Sequence, residues 1–391
     1  MRFRWLSLMV LAVAVLLPAL FLLPKRKAAD QGRVVSVTEA LGGTSEEGFT
    51  RAAAPHRFTF PADHGPHPGF RTEWWYFTGN LKTAQGQRFG YQLTFFRVAL
   101  KPGSVARSSR WGANEIFMAH FAVTDVAGKR FHYAERFSRA ALGLAGAGGS
   151  PLAVRLEDWS ALETSEEPWS MQLVARDGDV SVDFKARSIT PLVLNGEAGL
   201  SRKGSDPGNA SYYYSLPRME TSGTIRIGKE TFSVAGLSWF DREWSTSALE
   251  PGQVGWDWFA LQLDDGRDLM FYRLRRSDGT SDPFSSGTLV AADGTSRHLA
   301  GEEVRLAIAD WWTSPASGSR YPARWRLRVP TEGLDLEIVP RLADQELLAS
   351  VRYWEGAVSV KGITAGSTGG SGYLEMTGYG AKEKKDADLL F

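Results

Sequence analysis

The order of aromatic strand landmarks in the first half of this chain recurs in its second half, and this repetition constrains the fold more than any other feature. Trp74-Trp75-Tyr76-Phe77, a turn at Gly86 and Phe95-Phe96-Arg97 are matched by Trp256-Asp257-Trp258-Phe259, a turn at Asp265-Gly266 and Phe271-Tyr272-Arg273. Phe121 to Asp125 with Gly128 is matched by Thr288 to Ala292 with Asp293-Gly294, and Leu156-Glu157-Asp158-Trp159 by Ile308-Ala309-Asp310-Trp311. Trp169 to Val174 and Val180 to Phe184 correspond to Trp325 to Val329 and Leu334 to Ile338. Tyr213-Tyr214 corresponds to Tyr353-Trp354, and Phe232 to Leu237 to Tyr373 to Tyr379. The offset falls steadily, from 183 (Trp75 to Trp258) through 152 (Asp158 to Asp310) to 142 (Gly236 to Gly378), so loops shortened while strands kept their order.

The repeated segments are short, rich in Trp, Tyr, Phe, Val and Leu, and separated by Gly, Asp-Gly and Pro turns, which is the pattern of strands. Each copy holds roughly eight, enough to curl an antiparallel sheet into a barrel or bent sandwich whose interior takes side chains or one small apolar ligand. The expected fold is all-β, two tandem antiparallel barrels related by internal duplication over residues 58–248 and 249–382, joined near Thr246 to Gln253. A length of 391 residues fits, since single cores stop growing near ~250 to 300 residues. Longer connections at Lys101 to Trp111, Gly143 to Ser150 and Gly196 to Asn209 occur in the first copy alone and read as loops able to form a lid.

Arg2 and Arg4 precede an apolar run from Trp5 to Leu23, followed by Pro24-Lys25-Arg26-Lys27. At ~1.5 Å per residue this run approaches the ~30 Å of a bilayer core, so residues 1–35 read as a signal peptide or a membrane-anchoring hydrophobic helix. Lys27-Ala28-Ala29 is a poor cleavage site, which favours the anchor. Residues 36–57 form a linker and 383–391 a charged tail, and the globular part is expected to be exported, in the periplasm or facing outward from the cell envelope. With 45 basic and 44 acidic residues there is no summed field to hold nucleic acid, and the absence of Cys excludes disulfides, thiolate metal sites and a Cys nucleophile.

Several charged residues interrupt the aromatic runs. Glu73 stands in the hydrophobic strand Arg71-Thr72-Glu73-Trp74-Trp75-Tyr76, where a carboxylate is costly unless paired; Arg71 and Arg97 are available partners, and a pocket role is the alternative. Trp239-Phe240-Asp241-Arg242-Glu243-Trp244 ends the first copy and finds no counterpart in the second, where Gly378-Tyr379-Gly380 runs into the tail. Asp241, desolvated between Trp239 and Trp244, would have the raised pKa of a general acid; a salt-bridged brace between domains is the alternative. His120 is the other proton carrier, or else a satisfied core histidine. His64 and His67 flank Gly and Pro with no third ligand, so they read as a rigid loop leading into the strand, with no metal and no cofactor implied. Glu355 and Glu375, among aromatics, read as ion-paired inside the second barrel. No Gly-x-Ser-x-Gly elbow, phosphate loop or dinucleotide fingerprint occurs, which argues against a serine hydrolase.

Asp63-His64-Gly65-Pro66-His67-Pro68, Arg71 to Leu81, Tyr91 to Arg97, Trp256-Asp257-Trp258-Phe259 and Tyr353-Trp354-Glu355-Gly356 resemble the AttH and carotenoid 1,2-hydratase family, over nearly everything after residue 55. The resemblance implies tandem lipocalin-like domains. Members include carotenoid 1,2-hydratases, which protonate a terminal isoprenoid alkene and add water; related proteins include kievitone hydratase and pericyclase-type enzymes, and some AttH members accompany ABC exporters. The hydratases place a His directly after the acid that matches Asp241; Arg242 stands there in this chain, and a guanidinium that stays protonated cannot relay a proton.

Two expectations follow. The first is a cell-envelope lipocalin-like protein that binds an apolar, isoprenoid- or lipid-like molecule, serves an ABC exporter and contacts the membrane through its N-terminal segment. Its ligand would meet Trp74, Trp75, Tyr76, Trp239, Arg242, Glu243, Trp244, Trp256, Trp258 and Tyr353. The second is a hydratase in which Asp241 protonates an alkene, with Glu73 and His120 as further catalytic candidates and aromatic faces steadying the cation.

Overall fold

The computed structural model describes residues 46–103, 109–247, 249–364 and 368–380. The N-terminal apolar run and the charged tail lie outside these residues. Strands dominate because the apolar residues recur at period two between Gly-rich turns; in Trp169–Asp177 and Val180–Ser188 buried and more exposed positions alternate almost without break.

The first sheet has thirteen strands: β1 (Thr72–Lys82), β2 (Arg88–Ala99), β3 (Glu115–Asp125), β4 (Arg130–Arg139), β5 (Ala145–Gly148), β6 (Ala153–Leu156), β7 (Trp159–Glu166), β8 (Trp169–Asp177), β9 (Val180–Ser188), β10 (Val193–Leu194), β11 (Leu200–Arg202), β12 (Ala210–Ile227) and β13 (Glu230–Ser245). Their order is β4-β3-β2-β1-β13-β12-β9-β8-β7-β6-β5, with β10 and β11 added to β12. The second sheet has ten: β14 (Gln253–Leu263), β15 (Asp268–Arg276), β16 (Ser286–Val290), β17 (Ser296–Ala300), β18 (Arg305–Thr313), β19 (Arg320–Val329), β20 (Leu334–Pro340), β21 (Glu346–Leu348), β22 (Arg352–Gly362) and β23 (Gly370–Thr377). Their order is β17-β16-β15-β14-β23-β22-β20-β19-β18, with β21 added to β22. From β17 to β18 this repeats the order of the first sheet from β4 to β7, without counterparts of β5 and β6, so the two curled sheets form tandem lipocalin-like near-barrels.

Two of the expected loops belong to the sheet instead. Gly143 to Ser150 contains β5 and Gly196 to Asn209 contains β11, each pairing with a neighbour strand, because backbone groups at a sheet edge are satisfied by a further strand.

The first sheet curls until its ends meet. Arg136 of β4 lays its guanidinium 4.6 Å from the Trp159 ring of β7 and pairs with Glu157 at 3.3 Å and with Asp158. A bulge between Leu216 and Met219 bends the long β12. In the second sheet Arg297 of β17 reaches Glu332, in the turn between β19 and β20, at 2.7 Å.

One end of the first barrel is plugged by the loop from His56 to Phe70 through a charged cluster. Glu73 points inward, pairs with Arg97 at 2.8 Å and with Arg242, and accepts the His67 backbone N–H at 3.0 Å. Arg242 in turn donates to the Gly65 carbonyl at 2.6 Å and stacks 4.1 Å over Trp75, while His67 stacks on Trp244 at 3.8 Å. Burial alone would raise the Glu73 carboxyl, but Arg242, the His67 hydrogen bond and Arg97 together outweigh it and hold it at about 2.

The two barrels then pack against each other, so β1, β2, β13 and β14 are buried on both faces and read as near-continuous apolar runs. At the closest approach a Cβ on Gly90 would lie 2.6 Å from that of Ala357. Gln92 donates to Tyr353 at 3.1 Å, Asn80 to the Gly372 carbonyl at 2.9 Å, and Arg218 pairs with Asp268 at 2.9 Å across the junction.

Glu73→Gln leaves Arg242 buried without its carboxylate and Arg97 with Glu115 alone, and should cost about 3–5 kcal/mol in urea unfolding. Because the folded carboxyl is depressed from 4.5 to about 2, its contribution is complete above pH 4.5 and is lost as pH falls through about 2. Wild type and variant should therefore converge in stability toward pH 2 in a series of urea melts.

Candidate functional site

Strand alternation decides what each landmark residue does. On β1, Glu73, Trp75 and Phe77 face the interior of the first barrel, whereas Trp74 and Tyr76 face the second barrel. On β13, Phe240, Arg242 and Trp244 turn inward, whereas Trp239, Asp241 and Glu243 turn toward the second barrel. On β14, Trp256 and Trp258 face back, while Phe259 and Leu261 enter the second core. The outward sets enclose a cavity of about 160 Å³ between the barrels. Its walls are Trp74, Phe96, Met118, Trp256, Trp258, Leu274 and Val351, and the polar groups that reach it include His120, Lys203, Tyr213, Asp241, Glu243, Tyr353 and Glu375.

Asp241 is the pivotal group. Its Oδ1 accepts hydrogen bonds from Ser215 Oγ and Trp239 Nε1, both at 2.6 Å, and its Oδ2 accepts one from Tyr213 Oη at 2.5 Å. Trp258 Nε1 donates to the same Tyr213 oxygen at 3.1 Å. Burial raises the carboxyl more than these three donors lower it, and Glu243 raises it further, so it reaches about 7. An indole N–H only donates, which ties Oδ1 to the unprotonated role and leaves the acidic proton on Oδ2, beside a Tyr213 hydroxyl that can rotate to accept it. Tyr213 itself, buried and beside a carboxylate, is pushed well above the ordinary phenol range and stays protonated.

At one end of the cavity Lys203 pairs with Glu243 at 3.4 Å and sits 3.7 Å over the Tyr272 ring, and Ser211 donates to Glu243. At the other, His120 Nδ1 bonds Tyr353 Oη at 2.6 Å and its Nε2 faces Glu135 at 3.5 Å. Trp256 Nε1 donates to Glu375 at 2.6 Å, and Glu355 stands opposite Glu375 across β22 and β23.

Asp241, His120, Trp74, Tyr76, Glu243, Trp256, Trp258 and Tyr353 therefore come together around one cavity, and Trp239 supports Asp241 from behind. Glu73, Trp75, Arg242 and Trp244 do not join them; they belong to the plugged interior of the first barrel, because each is one residue out of phase with the cavity-facing set. Arg242 consequently shares no face with Asp241. His64 and His67 belong to the plug as well, with His64 Nδ1 bonded to Tyr214 Oη at 2.6 Å.

The second copy does have a counterpart of the Trp239 to Trp244 segment. Asp241 pairs in register with Tyr76 on β1 and Glu243 with Trp74, while Glu375 pairs with Trp258 on β14; Asp257 pairs with Arg273 there as Glu73 does with Arg97, so Trp258 takes the place of Trp74 and Glu375 that of Glu243. Glu355 and Glu375 face the barrel junction, and no ion pair among the described residues involves either, contrary to the expected pairing inside the second barrel. Sequence reasoning passed over Tyr213 and Ser215, visible only as alternate residues opposite Asp241, and Lys203 in a segment read as loop.

Among known proteins, the sequence pattern of AttH-like proteins matches residues 51–379. The crystal structure of a protein described as an AttH from Nitrosomonas europaea has a TM-score of 0.75 and 35% identity, covering 83% of this chain and 99% of that one. Kievitone hydratase from Nectria haematococca shares the fold, with a TM-score of 0.63 at 16% identity over 84% of this chain and 95% of the other. The kievitone hydratase of Fusarium solani subsp. phaseoli is 23% identical over 206 residues, 51% of this chain and 57% of that protein, so the match spans little more than half the relative's length. A duplicated lipocalin-like scaffold and a family pattern running through almost all of the described residues lead to one assignment: this chain belongs to the AttH-like family.

Proposed function

We propose that the protein binds an apolar, isoprenoid- or lipid-like molecule in the cavity between its barrels and adds water across an alkene of that molecule, with Asp241 as the proton donor. The observation that carries this reading is a buried carboxyl poised at about 7 on the wall of an aromatic cavity. A fully solvated Asp would be almost wholly ionised at neutral pH; this one is about half protonated there and can both give a proton and regain it.

The chemistry closes on itself. The Asp241 O–H bond breaks as a C–H bond forms on the alkene, and the tertiary cation left behind lies among the faces of Trp74, Trp256 and Trp258, an attraction of ~0.5 to 2 kcal/mol per well-placed ring. Water bonds to the cationic carbon, and the proton it sheds restores the acid, so alkene plus water gives the alcohol. A cavity of about 160 Å³ admits one ring or one isoprene unit, so a longer molecule would present only its end. The hydratase names among the relatives agree with this reading.

Carriage without chemistry is the second reading, favoured by the N-terminal apolar run Trp5 to Leu23, which suits a tethered envelope protein that passes an apolar molecule to an exporter.

Asp241→Asn distinguishes the two. Hydration of an isoprenoid alkene, followed by mass spectrometry in ¹⁸O-water, should fall ~10²- to 10⁴-fold while binding, read by quenching of Trp fluorescence, persists. Equal product from wild type and variant removes Asp241 as the acid, and no product from wild type leaves the carrier. Since the protonated carboxyl is the active form, the wild-type rate should fall about tenfold per unit as pH rises beyond about 7. Trp258→Ala, which removes a ring packed 5.1 Å from Tyr76, should weaken ligand binding by about 1.5–3 kcal/mol in the same titration.

A further inference from the structure

The second barrel contributes a buried acid that the proton delivery from Asp241 does not use. Glu355 is fully buried and stands opposite Glu375 in the β22–β23 register, and among the described residues no basic side chain pairs with either. Two carboxylates so placed in a medium of low dielectric cannot both ionise, so the pair retains a proton between them. Tyr76 donates to Glu355, and Trp256 Nε1 to Glu375 at 2.6 Å. Glu375 lines the cavity that Asp241 lines, from the second barrel. The Tyr373 hydroxyl, buried near Glu355, has no hydrogen-bond partner among the described residues.

Resting on the hydration reading above, we infer that Glu375 is the base that takes the proton from the adding water, with Glu355 as the positioning residue that holds the shared proton beside it. Asp241 gives its proton to carbon; the water oxygen bonds to the cation; Glu375 takes one proton from that water. The extra proton leaves the pair to solvent as Asp241 regains one, and the sum remains alkene plus water to alcohol. His120 is the competing base on the same cavity, but Tyr353 holds one of its ring nitrogens and Glu135 faces the other. The groups facing the pair are Tyr76 from β1, Tyr353 on β22, Tyr373 on β23 and Glu243 from β13. Burial and the nearby carboxylates push these three phenols well above their ordinary range, so they hold their protons and the pair itself sets the acid limb of the profile.

The test is hydration and hydrogen exchange of an isoprenoid alkene in D₂O by wild type, Glu375→Gln, Glu355→Gln and Asp241→Asn. Asp241 still protonates the alkene in Glu375→Gln, but the cation returns without capturing water. That variant should therefore lose hydration at least ~100-fold while still incorporating deuterium into recovered alkene. It should also lose the fall in rate at low pH expected of the wild type, and keep the fall above about 7. Glu355→Gln should lower product formation and shift that low-pH fall upward, as Glu375 loses the shared proton that steadies its charge. Circular dichroism and fluorescence titration of the alkene confirm folding and binding in each variant. Wild-type hydration by Glu375→Gln, with Asp241→Asn inactive, overturns the base alone; loss of exchange together with hydration in Glu375→Gln overturns it too. Absence of hydration by the wild type overturns the hydratase reading and the base with it.

Discussion

The burial of β1, β13, β14 and β23 on both faces is the constraint from which the site follows. A lone lipocalin-like barrel would leave the outer faces of these strands in water, where a carboxylate costs nothing. Packing two barrels outer face to outer face removes that water, and every polar side chain there must find a partner or change its protonation. Lys203 supplies a cation for Glu243 at the junction, and Arg218 one for Asp268, whose carboxyl burial still carries to about 7. Asp241, Glu355 and Glu375 receive hydrogen-bond donors instead, and donors alone do not offset the loss of hydration.

The chain thus contains two kinds of buried carboxyl separated by little more than the thickness of one strand. Glu73 turns into the first barrel, meets two guanidinium groups and is held at about 2. Asp241 turns the other way and is carried up to about 7. The pleat also explains how Asp241 stays an acid beside Arg242 in sequence: the guanidinium lies on the opposite face, against Trp75 and Glu73, so it quenches the wrong carboxyl for catalysis and the right one for stability. Arg242 in the place of the His implied by the resemblance therefore alters the barrel plug, and the cavity wall is unaffected.

Much of the fold was legible in the chain because strand landmarks rich in Trp and Tyr survive loop shortening, and the strand order of the second sheet repeats that of the first. The plan of the site was less so. A period of two separates a strand into two faces, but where both faces are apolar it does not say which one lines a cavity. Trp75 and Trp244 looked as suited to the site as Trp74 and Trp239, and only the register distinguishes them. Gly236 and Gly378 imply an offset of 142 for the last repeat, whereas the pairing of β13 with β1 and of β23 with β14 sets Glu375 against Trp258 as Glu243 is set against Trp74. A Gly landmark marks a close approach or a turn and carries no register, so the sequence match slips there.

The two acids on the cavity wall differ in what stands opposite each on the neighbouring strand. Opposite Asp241 on β12 stands Ser215, a donor, and the carboxyl remains a single group with one proton to give. Opposite Glu375 on β22 stands Glu355, a second carboxyl, and the proton is then divided between two groups, one of which stays charged. Under the proposed hydration, that difference of one cross-strand neighbour, Ser against Glu, is what would make one wall the acid and the other the base.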